Sequence, residues 1–160
     1  FTMGGSLGVM AEIQALVKPT CVGNQRRMTN GIDVNRVLLL IAVLEKRARM
    51  NLSNSDIYVN VAGGLRIDET AVDLGICAAV ATSQADIPLP PDMIFIGEGG
   101  LGGELRGVSQ LEKRINEAAK LGFKSAIVPK QSLRGVKIPD GFAAYGIKTI
   151  SEMINMLRRK

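Results

Sequence analysis

At 160 residues the chain has room for one domain, and its 46% hydrophobic, 22% charged composition suits a globular core that needs no disulfide or metal staple. It has no histidine, which excludes a Ser-His-Asp triad, a Cys-His pair and every His-bearing zinc site. The net charge of +5 permits attraction to phosphate backbones without demanding it.

The opening FTMGGSLG lacks the charged start and long apolar stretch of a signal peptide. It reads as a ragged beginning or linker over residues 1–8, ahead of one domain over 9–160. Gly8 to Val17 alternates loosely and predicts a strand. Residues 18–31 are polar and carry Pro19, Gly23, Asn24, Asn30 and Gly31, which predicts a loop or a long hairpin arm. Asp33 is a good N-cap for a helix from Val34 to about Met50. Val37, Leu38, Ile41, Leu44 and Ala48 recur on it at helical spacing. Lys46, Arg47 and Arg49 crowd its last turn, where cations complement the helix dipole. The longest apolar run, Val37 to Leu44, falls far short of the roughly 20 residues of a membrane span.

Asp56 to Ala62, DIYVNVA, predicts a strand that Gly63 and Gly64 end. Thr70 then opens a second helix, with Asp73 three residues on in a capping box. Leu74, Cys77, Ala78 and Ala81 make its buried face, and such small residues predict close packing. Pro88, Pro90 and Pro91 stiffen a loop before a short strand over Met93 to Ile96. Ser109 and Glu112 form another capping box, opening a helix that ends near Leu121 with Gly122 just beyond. Ser125 to Val128 is a strand stopped by Pro129, and Gly141 to Ile147 and Ser151 to Leu157 give a last strand and a last helix. Strands and helices alternate without a strict βαβ rhythm, which predicts an α+β or mixed α/β fold with no internal repeat. Cys21 and Cys77 have no CxxC spacing and read as single thiols in a reducing compartment.

Gly97, Gly99 and Gly102 satisfy GxGxxG after a strand, but a dinucleotide site needs a helix starting inside the glycines. Here Glu104 to Gly107 continue as a second strand, so a tight β-hairpin is the better reading. No GxxxxGK[ST] phosphate loop occurs, which argues against an ATPase activity of this stretch alone. On the helix after Ser109, Leu111, Ile115, Ala118 and Ala119 define the buried stripe. Arg114 lies at its edge, and Lys113 points well away from it.

Three blocks carry a resemblance: Ala11 to Ala48, Asp56 to Ser83, and Phe95 to Pro129. The last two resemble the proteolytic domain of Lon-type proteases. The first, with EIQALV and GNQRR before its helix, is closer to the C-terminal Lon-like domain of RadA-type bacterial DNA repair proteins. Lon proteases carry a PKDGPSAG-like motif around the nucleophile. The matching residues here are Arg66, Ile67, Asp68, Glu69, Thr70, Ala71, Val72 and Asp73, so Asp68 keeps the family character and Ala71 takes the serine position. The catalytic lysine position falls on Arg114, whose guanidinium keeps its proton. The resemblance therefore implies an α+β, Lon proteolytic domain-like fold, a ribosomal-protein-type β-α-β two-layer domain, with vestigial dyad positions at Ala71 and Arg114.

The same resemblance implies a non-catalytic ring scaffold and DNA-contact surface in recombinational repair and branch migration. It implies a homo-oligomer, a hexamer, that meets single-stranded or branched DNA in the bacterial cytoplasm, with no membrane and no small-molecule substrate. ATP, Mg and Zn belong to a RecA-like ATPase and a zinc-binding motif that precede this domain in the family, and no cofactor is expected within it. The candidate DNA contacts are Lys18, Arg26 and Arg27 on one loop, and Arg36, Lys46, Arg47 and Arg49 along one helix. Arg36, Lys46 and Arg47 cannot all face one way, so only part of this set forms a surface. The alternative is a divergent Lon-like peptidase that uses the hydroxyl of Thr70 or Ser109 with Lys113.

Overall fold

A computed structural model describes residues 2–3, 10–21, 23–62 and 70–158. They form three sheets and four α-helices, an α+β arrangement as the sequence predicts. The first sheet has the order β1 (Thr2–Met3), β2 (Met10–Pro19), β4 (Ser55–Ala62), β3 (Arg27–Asn30). β2 runs antiparallel to β4, pairing Glu12 with Ala62 and Pro19 with Ser55. β3 runs parallel to β4, and α1 (Val34–Arg47) is the crossover between them. The loop expected over residues 18–31 thus contains a strand. Its four residues, RMTN, sit on a sheet edge and alternate between half-buried and exposed, so they carry no hydrophobic run to announce it.

The Asp33 carboxylate accepts from the Asn35 N–H and caps α1, as expected. The helix ends at Arg47 rather than near Met50. Arg49 adopts φ 57, in the left-handed region that stops helical propagation. Val37, Leu40, Ile41, Val43 and Leu44 bury its inner face against the sheet and α2 (Asp73–Ala85). α2 was expected to bury one stripe. Every residue from Asp73 to Thr82 is buried instead, because β2, α1, β5 (Met93–Phe95) and α4 (Ile150–Arg158) all pack around it. Gly75, Ala78, Ala79 and Ala81 make that enclosure sterically possible.

Neither predicted capping box forms. Thr70 to Val72 make a single 3-10 turn, and α2 begins only at Asp73 with no side-chain cap. The helix α3 (Leu111–Lys120) has Gln110 at its N-cap, in a left-handed conformation with φ 57, and again no side-chain cap. Glu112 turns away to accept from the Lys137 N–H at 3.1 Å. The other end of α3 follows expectation, with Gly122 at φ 97 just past the C-cap Leu121.

A second sheet, β5-β8-β9, is wholly parallel, with β8 (Ser125–Pro129) between β5 and β9 (Ala143–Ile147). It separates two cores. Phe95, Ile127 and Ile147 face the large core that holds α1, α2 and α4. Ile94, Ile96, Ala126 and Val128 face a smaller one, closed by Leu111, Ile115 and Ala118 of α3. All five residues of β8 are buried, as a strand covered on both faces requires. The glycine-rich stretch forms the antiparallel hairpin β6 (Glu98–Gly99) and β7 (Leu105–Arg106), as predicted. Backbone bonds from Leu105 N to Lys148 O and from Ile150 N to Gly103 O dock it where β9 passes into α4.

Gly31 sits at φ +81, and a Cβ added there would lie 2.0 Å from the Val61 carbonyl oxygen. Gly23 has a similar φ of +72 with nothing within 4 Å. Gly23→Ala should therefore cost about 1–2 kcal/mol from backbone strain alone. Gly31→Ala should cost clearly more and reduce the urea midpoint further; equal losses would mean that the close approach to β4 does not form.

Candidate functional site

Ala71 and Arg114 are the positions that the resemblance implies for a vestigial dyad. Ala71 lies in the 3-10 turn, 3% exposed, and shares the smaller core with Leu111 and Ile115. Its carbonyl accepts from the Gly97 N–H at 3.0 Å. Arg114, half-buried, stands between those two leucine and isoleucine positions in the α3 sequence, and Lys113 is exposed, as the helical wheel predicts. The Arg114 Nε donates to the Ser109 carbonyl at 3.1 Å. The Thr70 hydroxyl donates to Glu98 Oε1 at 2.9 Å rather than capping α2. Asp68 and the rest of the stretch from Arg66 to Glu69 lie outside the described residues.

Asp73, expected as a capping partner, instead makes a buried bridge. It is 0% exposed and receives Nε and Nη2 of Arg36 and, at 2.9 Å, the Gly99 N–H. Arg36 also reaches the Gly99 carbonyl at 3.4 Å. Burial raises the Asp73 carboxyl above its ordinary range, against the pull of Arg36 and the Gly99 N–H. Arg36, read from sequence as a DNA contact, is thus taken up by a bridge among α1, α2 and β6. The sequence put it on a helix face without revealing the carboxylate opposite.

The remaining basic candidates divide. Arg27 turns its fork onto backbone carbonyls, Nη1 to Ser55 and Nη2 to Leu52 at 3.0 Å, and so staples β3 to the turn before β4. Lys46, Arg47 and Arg49 are exposed around the C-terminal end of α1, where Arg47 Nε donates to the Leu101 carbonyl at 3.3 Å. Lys18 and Arg26 are brought together by Asp56. Its Oδ1 accepts from the Arg26 N–H at 2.8 Å and the Thr20 hydroxyl at 2.9 Å, and Lys18 Nζ stands 3.9 Å from Oδ2. These donors, the Arg26 N–H foremost, hold the Asp56 carboxyl below its ordinary range.

Beside this cluster lies a surface that the basic residues alone did not reveal. The register of β2, β4 and β3 places Leu16, Tyr58 and Met28 in one row across the sheet, and Gln14, Asn60 and Asn30 in the next. No described element covers this face. Leu16 and Met28 are 54% and 55% exposed, and the two rows line a groove of about 380 Å³. The alternation in DIYVNVA already put Tyr58 and Asn60 on the face opposite Ile57, Val59 and Val61. The unrecognised β3 withheld Met28 and Asn30. Among the described residues no His, Cys, Asp or Glu group could hold a metal ion. Burial pushes the Cys77 thiol far above its ordinary range.

Two measurements test these arrangements. Arg36→Met leaves the Asp73 carboxylate buried without its cation and should destabilise the fold by about 3–5 kcal/mol; a loss under 1 kcal/mol in urea unfolding would contradict the bridge. For Asp56 the folded carboxyl titrates below its ordinary value of 3.8, so its stabilisation is complete above that value and fades as pH falls through it. The stability gap between the native chain and Asp56→Asn should be widest above about pH 5 and narrow below 3.8. A gap that widens on acidification would contradict this sign.

A model of the family described as subunit ChlI of Mg-chelatase matches residues 33–132. Three proteins named DNA repair protein RadA are also similar to this chain. The one from Streptococcus pyogenes serotype M1 is 49% identical over 154 residues, covering 96% of this chain and 34% of the relative. That from Streptococcus pneumoniae strain ATCC BAA-255 / R6 is 50% identical over 153 residues, covering 96% and 36%. That from Bacillus subtilis strain 168 is 50% identical over 153 residues, covering 96% and 33%. The chain spans about a third of the length of these curated relatives, in keeping with a RadA C-terminal domain. It belongs to the family whose model is described as subunit ChlI of Mg-chelatase.

Proposed function

We propose that residues 9–160 are the Lon-like C-terminal domain of a RadA-type DNA repair protein, acting as a non-catalytic assembly and DNA-contact module. The observation that carries this reading is the open face of the first sheet, where the half-buried Tyr58 lies between the exposed Leu16 of β2 and Met28 of β3. Lys18 and Arg26 stand at the Asp56 end of the same strands. An aromatic ring flanked by apolar side chains is a surface on which bases stack, and two cations nearby suit the phosphates between them. The amide row of Gln14, Asn60 and Asn30 offers donors and acceptors without a fixed sequence preference.

The loss of dyad chemistry supports the non-catalytic part. Ala71 has no nucleophile, and Arg114 keeps its proton at neutral pH and so cannot act as a base. Against the peptidase alternative with Thr70 or Ser109 stand the engagement of the Thr70 hydroxyl by Glu98 and the exposure of Lys113, which desolvation cannot strip of its proton. A homo-oligomeric ring, a hexamer in this reading, repeats one modest surface six times and turns weak contacts into useful avidity. In the full-length protein, ATP with Mg and a bound Zn belong to other domains, and the setting is the bacterial cytoplasm.

Fluorescence anisotropy with a labelled single-stranded oligonucleotide tests the contact surface. Tyr58→Ala should cost about 1–3 kcal/mol of binding. The Lys18→Ala/Arg26→Ala pair should weaken all sequences alike and lower the log–log salt slope by about 1.4, the release expected for two phosphates. Unchanged affinity in both variants would remove the sheet face from the model. A fluorogenic peptide should not be turned over; turnover abolished by Thr70→Ala would restore the peptidase reading.

A further inference from the structure

β8 and β9 are parallel neighbours, paired from Ser125 with Ala143 to Pro129 with Ile147. The chain leaves β8 at Lys130 and β9 at Lys148, so two lysines emerge at the same carboxyl end of one sheet. That end borders a cleft of about 690 Å³ with Lys130, Arg134 and Lys148 on its wall. Leu105, Leu133 and Ile147 also line it.

The wall is built rather than incidental. The single turn Lys130–Leu133 folds back against the hairpin side of the cleft. Gln131 Nε2 donates to the Leu105 carbonyl at 3.2 Å, and Ser132 Oγ accepts from the Val108 N–H at 3.0 Å. The turn packs so closely on β9 that a Cβ at Gly146 would stand 3.0 Å from the Lys130 Cα. Three ion pairs form among the described residues, Lys18–Asp56, Arg36–Asp73 and Arg106–Glu98, and none of them uses these cations. Glu152, four residues beyond Lys148, turns its carboxylate to the Lys148 N–H at 3.1 Å, at the start of α4.

Three cations without ion-pair partners in one concave site create a strong preference for an anion with several oxygens. Leu133, half-buried beside them, and the aliphatic stems of the cations suit a flat organic body attached to it. We propose that this cleft binds a nucleotide unit, its phosphate held by Lys130, Arg134 and Lys148 and its base and sugar resting on the half-buried Leu133 and the aliphatic stems of those cations. The site is distinct from the open sheet face and does not depend on it. The nucleotide could be free or could be one unit of a single strand, and the two sources are separable by experiment.

The test is amide chemical-shift titration of the 160-residue chain with inorganic phosphate, adenosine monophosphate and a single-stranded oligonucleotide. It is run on the native chain, on Lys130→Gln/Arg134→Gln/Lys148→Gln, and on the Lys18→Ala/Arg26→Ala pair. Shifts at residues 130–134 and 148 are expected with a nucleotide probe, with affinity at least tenfold weaker in the triple variant and unchanged there in the pair. Response to adenosine monophosphate and the oligonucleotide supports a free-nucleotide site, and response to the oligonucleotide alone supports a site for one unit of a strand. Inorganic phosphate binding as tightly as adenosine monophosphate would overturn the nucleotide assignment. The whole proposal falls if neither nucleotide probe shifts these amides, or if the triple variant, folded by its thermal melt, binds like the native chain.

Discussion

One carboxylate fixes how the pieces of this molecule meet. Asp73 is wholly buried at the first turn of α2, and its donors come from two other places, Arg36 on α1 and the Gly99 N–H on β6. A buried ion pair adds little net stability over an apolar packing of the same shape, but it has only one satisfied arrangement. It therefore acts on registry. α2 must present its first turn to α1, and the glycine hairpin must come close enough for a backbone N–H to complete the shell. The 3-10 turn that carries Thr70 and Ala71 runs directly into this point, and Gly97 closes it with backbone bonds to Ala71 and Leu74.

Asp56 does at the rim what Asp73 does inside. It gathers the Arg26 N–H, the Thr20 hydroxyl and the Lys18 ammonium around one strand. The loop that follows β2 is thereby tied back to β4, and two cations stand at the end of an uncovered sheet face. The contrast between the two aspartates explains the fate of the basic residues. An arginine aimed inward at Asp73 becomes structural, whereas Arg26 meets Asp56 through its backbone N–H and keeps an exposed side chain, and the exposed Lys18 stands at the long end of an ion pair, 3.9 Å from Asp56.

Much of the fold was legible because its elements have distinct periods. The α1 stripe, the alternation of DIYVNVA and the apolar run of β8 each announce themselves, and the hairpin reading of the GxGxxG glycines followed from the strand after them. What failed was chemistry that depends on tertiary partners. Thr70 and Asp73 match a capping box in spacing, but Glu98 and Arg36 supply stronger partners from elsewhere in the chain. RMTN carries no strand signal of its own and becomes β3 only because β4 has a free edge. For the candidate site, the sequence supplied Lys18 and Arg26 but not the row of Leu16, Tyr58 and Met28, which exists only once three strands are in register. Lys130, Arg134 and Lys148 look like scattered surface charges until β8 and β9 end side by side.

The open sheet face is the proposed place for a single strand. Photocrosslinking with an oligonucleotide carrying 5-iodouracil, followed by peptide mapping, addresses that directly. Adducts on Tyr58 and Met28 are the predicted result. Adducts confined to other surfaces, with none on β2, β3 or β4, would contradict it.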